Sequence, residues 1–237
     1  MKNKLTAGII FYNDPPEVFE MTLKALKKFK IPIVAIDGVY KEFPHEKPYS
    51  NNGCIDLAKQ YADFYIPANP WGWQNQAVKR SVYLKVLDVG SYVFHVDADE
   101  ELFQFENIPK LEKDHYIVFI RYHKCDSPSI RIHKVNYDTQ YLYAHYRLYR
   151  LRLHDPRYPD SGVVTKAHSI INNVKERLPD VKLHHWKDRR SDERKGLKKI
   201  YYETRMEMKN DGNWPKVETC TQCTKTFTGQ SCPYCGI

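Results

Sequence analysis

The chain has 237 residues, 42% of them hydrophobic, and a formal net charge of +8. This length suits one large domain, or a domain with a small module, and the 18 Tyr and 10 Phe residues exclude a disordered chain. No apolar run reaches the roughly 18 residues of a membrane span. The short apolar run near the N-terminus ends in Asn-Asp-Pro-Pro, unlike a signal peptide. We therefore expect a cytoplasmic protein, in the host cytoplasm if the chain is viral.

Strands and helices alternate along the first 100 or so residues. In chain order, AGIIFYN (7–13) predicts a strand, PEVFEMTLKALKKFK a helix, IPIVAIDG (31–38) a strand, NNGCIDLAKQYA a helix, DFYIPA a strand, NQAVKRSVYLKVLDVG (75–90) a helix and SYVFHVDADE a strand. The alternation predicts an α/β fold with a mostly parallel sheet and flanking helices. Ligands of such sheets bind beyond the carboxyl ends of the strands, where Asn13, Asp37 and Asp97 fall.

The pattern changes after residue 115. HYIVFIRYHK and YAHYRLYRLRL alternate like strands, and DERKGLKKIYYETRMEMK predicts a basic helix. We divide the chain into a large domain over 1–209, whose halves are 1–115 and 116–209, a linker over 210–217 and a small module over 218–237.

The basic charge is concentrated in the second half of the large domain. Residues 1–120 carry 14 basic and 16 acidic side chains, whereas residues 121–217 carry 22 and 12, a net +10. This asymmetry indicates either a solvated basic surface or a face that binds a polyanion such as nucleic acid.

Four acidic residues follow the predicted strand in YVFHVDADEELF (92–103). Carboxylates so close together repel one another, which predicts a nearby positive charge. In an extended segment Asp97 and Asp99 would point to the same side and could share a divalent cation such as Mg²⁺ or Mn²⁺. The alternative is a simple acidic turn after a strand. An EF-hand is excluded, because the positions that need Gly and Glu hold Leu102 and Ile108.

With these motifs the first 110 or so residues resemble a GT-A glycosyltransferase of the family 2 group. The resemblance rests on AGIIFYNDPPEVFEMTLKAL, the strand end VAIDG, the helix WQNQAVKRSVYLKV and, most specifically, VFHVDADEEL. It implies a GT-A, Rossmann-like fold and a nucleotide-sugar donor, foremost a UDP-sugar, in the 1–115 half. The 116–209 half would receive the acceptor.

The resemblance also implies donor-site roles for individual residues. Asn13 and Asp37 would lie near the base and ribose. The diphosphate or sugar would lie near three residues of one helix, Gln76, Lys79 and Arg80. Asp97 would hold the ribose, and with Asp99 the metal, Mn²⁺ or Mg²⁺.

Relatives also carry a downstream His as a further metal ligand. Here VKLHHW (181–186) follows YRLYR and VVTKAH, and strand alternation separates His185 from His184. We favour His185 and keep His184 as an alternative, beside the possibility of a surface His pair. The carboxylate pair that often supplies the base is not evident between 115 and 200, and Asp160 is the candidate base or a turn residue.

The final segment has the spacing of a zinc ribbon. Cys220, Cys223, Cys232 and Cys235 form C-x₂-C-x₈-C-x₂-C, which suits a tetrahedral structural Zn²⁺. So short a module has almost no core, and zinc would hold it together.

These features predict a metal-dependent glycosyltransferase that moves a sugar to a hydroxyl acceptor. The basic, aromatic second half and the zinc ribbon favour an acceptor in nucleic acid, such as a modified base in bacteriophage DNA. A surface glycan, a lipid or a protein is the alternative acceptor. A second class of function is a non-catalytic nucleic-acid-binding protein on a degenerate transferase fold.

Overall fold

The computed structural model describes most of the first 135 residues and parts of the remainder. The described residues are 5–41, 43–74, 76–113, 115–122, 125–135, 139–143, 147–150, 175–186, 189, 192, 195–197, 199–201, 203, 217–219 and 226–228.

Twelve strands and three helices have defined bounds in this part of the chain. They are β1 (Leu5–Ile10), α1 (Pro16–Lys28), β2 (Ile33–Ile36), α2 (Cys54–Tyr61), β3 (Phe64–Ile66), α3 (Gln76–Leu84), β4 (Tyr92–Asp97), β5 (Glu100–Phe105), β6 (His115–Tyr122), β7 (Cys125–Lys134), β8 (Thr139–Tyr143), β9 (Arg147–Arg150), β10 (Lys175–His185), β11 (Val217–Thr219) and β12 (Thr226–Thr228). Described residues between 192 and 203 are also helical, and we call them the 192–203 helical segment.

Eight strands form one sheet in the order β3-β2-β1-β4-β7-β6-β10-β5. The pairs β3/β2, β2/β1, β1/β4 and β6/β10 are parallel, whereas β4/β7, β7/β6 and β10/β5 are antiparallel. The prediction of a mostly parallel sheet is therefore confirmed only for β1 to β4, and the sheet as a whole is mixed. The βαβ units supply the parallel pairings among β1 to β4, and β5, β6, β7 and β10 add one parallel pairing and the three antiparallel ones.

The predicted βαβ units are present in the predicted order. α1 begins at Pro16, where a missing N–H costs nothing, and it buries Phe19, Leu23 and Leu26. α3 ends at Leu84, six residues before the predicted end at Gly90. It packs closely on β1, because a Cβ on Gly8 would lie 2.8 Å from the Tyr83 ring. Gly8 thus admits the aromatic ring that joins α3 to the sheet.

The acidic stretch is not a single extended segment. β4 ends at Asp97, residues 98–99 form a tight turn, and β5 begins at Glu100. Asp97 and Asp99 therefore do not lie on one side of a single extended strand, which was the prediction from the sequence. The turn directs β5 to the far edge of the sheet, where it pairs with β10. We call residues 97–100 the acidic turn.

The longest described helix, α1, has 13 residues. Over the described residues, we find no helix with both the length and the apolar character to cross a membrane.

Candidate functional site at the carboxyl ends of β1, β2 and β4

A cleft of about 570 Å³, including its solvent-open part, lies at the carboxyl ends of three neighbouring parallel strands. Phe11, Tyr12 and Asp14 follow β1, residues 38–40 follow β2, and Asp97, Ala98 and Asp99 end β4. The predicted position beyond these strand ends is thus where the structure has its cleft.

The cleft has an aromatic side and an acidic side. Tyr12, Tyr40 and Phe43 line the first, and the Tyr12 and Phe43 rings meet edge to face with centroids 6.1 Å apart. Asp97 and Asp99 line the second. A ligand with a flat ring at one end and a cation-binding anion at the other would match this arrangement.

The backbone of the acidic turn is held by three different elements. Thr22 of α1 donates its hydroxyl proton to the Ala98 carbonyl at 3.0 Å. The Trp186 amide, just after β10, donates to the Asp99 carbonyl at 2.9 Å. Glu100 accepts the Asp97 amide proton at 2.9 Å. The turn is thereby fixed before any ligand binds.

Two buried arginines supply the positive charge that the acidic sequence predicted. Arg80 of α3 pairs with Asp97 (Nη2–Oδ1 2.8 Å). Arg131 of β7 pairs with Glu100 through Nη2, and its Nη1 lies 4.0 Å from Asp97 Oδ2. Burial alone would raise the pKa of Asp97, but Arg80, His95 and Arg131 together hold it well below its usual range. Asp97 is therefore an anion at neutral pH.

His95 joins this network from within β4. Burial, reinforced by the Arg80 charge, holds the pKa of His95 well below its usual range. The ring is thus neutral, its Nδ1 meets the Tyr83 hydroxyl, and its Nε2 lies 3.7 Å from Asp97 Oδ1. Since α3 carries both Tyr83 and Arg80, this helix fixes the position of Asp97.

Glu100 behaves differently from Asp97. Burial raises the pKa of Glu100 to about 7, an effect that the Asp97 charge adds to and the Arg131 charge opposes. Glu100 has no exposed surface, and it binds the turn from beneath. Glu100 does not line the cleft, and it contacts the turn through the backbone amide of Asp97.

Asp99 lies beside His185. Its Oδ2 is 3.2 Å from His185 Nε2, and the Asp99 side chain is almost fully buried. His184 lies on the other face of β10 and packs against Trp186, with the rings tilted by 43° and their centroids 4.1 Å apart. The structure thus brings His185, and not His184, to the acidic turn.

The donor set of Asp99 and His185 fits part of a Mn²⁺ or Mg²⁺ shell. Two adjacent ligands at about 2.1 Å from an octahedral ion are roughly 3 Å apart, which matches the 3.2 Å separation. Asp97 keeps one oxygen on Arg80. Across the described part of the chain, no three His, Cys, Asp or Glu side chains come together as a ready metal site. Any cation here would take its other ligands from water or a bound substrate.

The three predicted residues of α3 lie at different depths. Gln76 and Lys79 line the cleft. The Lys79 ammonium is buried, donates to the Phe11 carbonyl at 2.6 Å and to the Gly38 carbonyl, and thereby joins the ends of β1 and β2. Arg80 lies behind the cleft wall on Asp97.

Asn13 and Asp37 hold a neighbouring loop. Asp37 is fully buried and accepts the Ser50 hydroxyl proton at 2.6 Å. The Asn13 amide donates to the same hydroxyl oxygen at 2.9 Å, and the Asn13 carboxamide oxygen accepts from the Asn51 amide. Neither residue is among those that line the cleft. Their predicted contact with a base and ribose stays a prediction.

Several predicted residues lie outside the described part of the chain. They are Asp160 and the four zinc-ligand candidates Cys220, Cys223, Cys232 and Cys235. Their roles stay predictions, as does the division into halves, linker and ribbon.

The roles of Arg131, Glu100 and the aromatic side of the cleft were not predicted from the sequence. Arg131 lies on β7, 34 residues after Asp97, and only the sheet order brings the two together. An Arg between two Ile residues in SIRIHK was the available sequence signal for Arg131. The aromatic residues come from loops without periodicity, so no pattern marked them.

Comparisons with known proteins add a weak likeness to solved structures. No protein-family model matches the chain, and no curated protein matches it. Among solved structures, the crystal structure of S. aureus TarS 1–349 is similar, with 13% identity and a TM-score of 0.46. The match covers 77% of this chain and 60% of that one, so the chain spans about three fifths of that structure's length. A likeness this weak carries no argument about activity.

Proposed function

We propose that this protein is a metal-dependent glycosyltransferase that moves a sugar from a nucleotide-sugar to a hydroxyl acceptor. The supporting observation is the cleft at the ends of β1, β2 and β4. It joins an aromatic side to the Asp97 and Asp99 carboxylates, with His185 at 3.2 Å from Asp99. A nucleoside diphosphate has the matching order of parts, a flat base followed by an anion that binds divalent cations.

Each part of the cleft has a role in this proposal. The rings of Tyr12, Tyr40 and Phe43 bind the base, for which a UDP-sugar is the first candidate donor. Asp99 and His185 would hold Mn²⁺ or Mg²⁺, which would supply positive charge to the departing diphosphate. Asp97, held as an anion by Arg80, is directed at the ribose.

The proton of the acceptor hydroxyl needs a base on the acceptor side. Asp160 remains the candidate from the sequence. Displacement at the sugar carbon forms the new bond to the acceptor oxygen and breaks the bond to the diphosphate oxygen, while the proton goes to the base. The nucleoside diphosphate leaves with the bonding electrons.

We propose nucleic acid, for example a hydroxyl-bearing modified base in DNA, as the acceptor. The net +10 of residues 121–217 supports this, because a phosphate backbone gives a reason for the charge and a neutral sugar does not. Two cation–aromatic pairs lie on described parts of this half. Arg189 lies 4.2 Å from the Trp186 ring, and Arg121 lies 5.0 Å from the Phe103 ring. A base acceptor in a duplex has to be flipped out to reach the cleft.

We also propose that Cys220, Cys223, Cys232 and Cys235 bind one structural Zn²⁺, on the strength of their spacing. Metal analysis should find about one zinc per chain, lost on Cys232→Ser with Cys235→Ser. A zinc-free, disulfide-linked tail would refute this.

Donor hydrolysis tests the proposed activity without knowledge of the acceptor. The protein is incubated with a panel of nucleotide-sugars, with and without Mn²⁺, and the released nucleoside diphosphate is measured. We expect release from one or a few donors that requires the metal and falls at least 100-fold in Asp99→Asn. Asp63→Asn is the matched control, since Asp63 lies between α2 and β3, where it pairs with Lys27. Metal-independent release, or full activity in Asp99→Asn, would contradict the proposal.

A further inference from the structure

The aromatic side of the cleft is supported from behind by a residue far along the chain. Tyr201, in the 192–203 helical segment, is buried to 5% exposure. Its ring centroid lies 5.6 Å from that of Phe43 and 5.8 Å from that of Tyr40. Both of these residues line the cleft, and Tyr201 does not. We call Tyr12, Tyr40, Phe43 and Tyr201 the aromatic cluster.

The aromatic cluster belongs to a small packing unit that shares Tyr40 with the neighbouring hydrophobic cluster around Tyr83. Val39, Phe43 and Tyr201 form its buried part, and Tyr12, Tyr40 and Leu197 pack against it. It is separate from the main core between the sheet and α1. The contacts of Tyr201 with Tyr40 and Phe43 join the 192–203 helical segment to the loop after β2.

The loop that carries Tyr40 and Phe43 holds two rings with different neighbours: Phe43 meets Tyr12, and Tyr40 packs beside the hydrophobic cluster that contains Tyr83. Its backbone is bonded to Trp73, through Lys41 N–H to the Trp73 carbonyl and Trp73 N–H to the Val39 carbonyl. These bonds fix the path of the chain but not the rotamers of Tyr40 and Phe43. Tyr201 contacts both rings, so it sets the shape of the surface that they present to the cleft.

Tyr40 also connects the aromatic cluster to the polar floor of the cleft. The Lys79 ammonium lies 5.8 Å from the Tyr40 ring centroid, and Lys79 lines the cleft. A shift of Tyr40 would therefore change the surroundings of a buried cation at the centre of the site.

We propose that Tyr201 is a positioning residue for nucleotide binding, and that the 192–203 helical segment completes the donor cleft from outside the first half of the chain. The inference rests on the proposed function, since it takes the occupant of the aromatic side to be a nucleobase. Loss of the Tyr201 ring leaves Tyr40 and Phe43 free to adopt other rotamers, and the bound arrangement then becomes a minor state. The apparent affinity for the nucleotide is then the intrinsic affinity multiplied by the fraction of molecules that remain in that arrangement.

The test is the affinity of the full chain for UDP with Mn²⁺, measured by calorimetry at a temperature where circular dichroism shows each variant folded. We expect Tyr201→Ala to weaken binding at least tenfold, and Tyr201→Phe, which keeps the ring, to bind within about threefold of wild type. In donor hydrolysis, Tyr201→Ala should raise KM and leave kcat within about threefold. A purely structural role would instead lower the active fraction without changing KM.

Two controls separate packing at the cleft from general instability. Ile200→Ala changes the neighbouring residue of the same segment, which is 51% exposed. Leu111→Ala removes a buried side chain from the main core, away from the cleft. Both should bind UDP within about twofold of wild type. Tyr201→Leu keeps apolar volume without a ring, and it replaces Tyr201→Ala in every comparison if that variant does not fold.

The outcomes distinguish the inference from the proposed function. If wild type binds UDP with Mn²⁺ and the Tyr201 variants without a ring bind equally well, the inference is wrong and the proposed function stands. If wild type binds no nucleotide in a panel of nucleoside diphosphates, the proposed function fails and the inference fails with it. If Leu111→Ala weakens binding as much as Tyr201→Ala, the effect is one of stability and the inference is again wrong.

Discussion

Two carboxylates only two positions apart have different surroundings. Asp97 is bonded to Arg80 and lies near Arg131, whereas Asp99 faces His185. The Arg80 guanidinium competes with a metal ion for Asp97, whereas the His185 nitrogen beside Asp99 is itself of a metal-ligand type. In the proposed mechanism, Asp99 is therefore the principal metal ligand of the acidic turn.

Substitution of the two adjacent histidines tests this assignment. We expect His185→Ala to raise the Mn²⁺ concentration needed for half-maximal donor hydrolysis by about 10–100-fold, since a nitrogen near Asp99 is lost. His184→Ala should leave that concentration within about twofold, because His184 packs against Trp186 on the other face of β10. A metal titration of both variants is the measurement, and the reverse order would assign the ligand to His184.

The ionisation of Glu100 should appear in the pH dependence of stability. Burial raises its pKa to about 7, from an ordinary value of 4.5. Between these values the folded protein holds a proton that the unfolded chain has released, so the free energy of unfolding falls as the pH rises through this window. Glu100→Gln cannot ionise and lacks this fall. We expect the Tm of wild type, relative to that of Glu100→Gln, to decrease from about pH 4.5 to pH 7. Parallel Tm curves would contradict the assignment.

At the scale of elements, β7 stabilises the site because it lies between β4 and β6 in the sheet. It pairs antiparallel with both β4 and β6, and it places Arg131 beneath the acidic turn. The short acidic connection between β4 and β5 is thereby bound to the centre of the sheet through one buried guanidinium.

Two arginine substitutions separate a buried ion pair from an exposed one. Arg131→Met leaves Glu100 and Asp97 in the interior without their partner, and we expect a loss of about 3–5 kcal/mol in the free energy of unfolding. Arg121→Met removes a pair with Asp126 on the exposed face of the adjacent strands, and we expect little or no change in the free energy of unfolding. Urea denaturation of both variants gives the comparison. Equal losses would mean that Arg131 has no special role in the turn.

The elements that the sequence predicted well are those with strong periodicity or clear breaks. The start of α1 at Pro16 is where it was expected, and the strand predicted over SYVFHVDADE is present as β4, although it ends earlier, at Asp97. The mixed sheet was not predicted, because alternation in sequence indicates a strand but not the direction of its neighbours. The turn at residues 98–99 was missed for a related reason. It is stabilised by Thr22, Trp186 and Arg131, which are distant in sequence.

The candidate site was predictable only in part. Acidic residues after an apolar strand marked Asp97 and Asp99, and alternation in VKLHHW favoured His185 over His184. Arg131 and Tyr201 contribute through packing across the sheet and the loop after β2, which no local pattern reveals. Asp37 shows the opposite case, since a strand-end aspartate that suggested a ligand contact is bonded to Ser50.

At the scale of the whole molecule, charge separates the two halves of the chain. Residues 1–120 have a net charge of −2, and residues 121–217 have a net charge of +10. In the proposed function the first half binds a donor through a metal, and the second half attracts a phosphate-bearing acceptor.

DNA binding should therefore depend on salt and on the basic half. We expect a labelled single-stranded oligonucleotide to bind at low salt and to dissociate steeply as salt rises. Arg189→Glu should weaken binding and flatten the dependence of affinity on salt concentration. The reason is that the Arg189 side chain is exposed and its guanidinium lies over the Trp186 ring. Lys24→Glu makes the same charge change on α1 and should have little effect. Absence of binding at low salt, or binding that ignores salt, would favour a glycan or protein acceptor.

The most direct test of a metal-dependent nucleotide site is a thermal shift of the full chain with UDP, Mn²⁺ or both. A ligand at 100 times its Kd adds about 2.7 kcal/mol to the free energy of unfolding, which for a chain of this size raises the Tm by about 5–10 °C. We predict this rise for wild type only when UDP and Mn²⁺ are both present, and a rise of less than about 2 °C for Asp99→Asn. No rise with any nucleoside diphosphate and metal, or an equal rise in Asp99→Asn, would contradict the account.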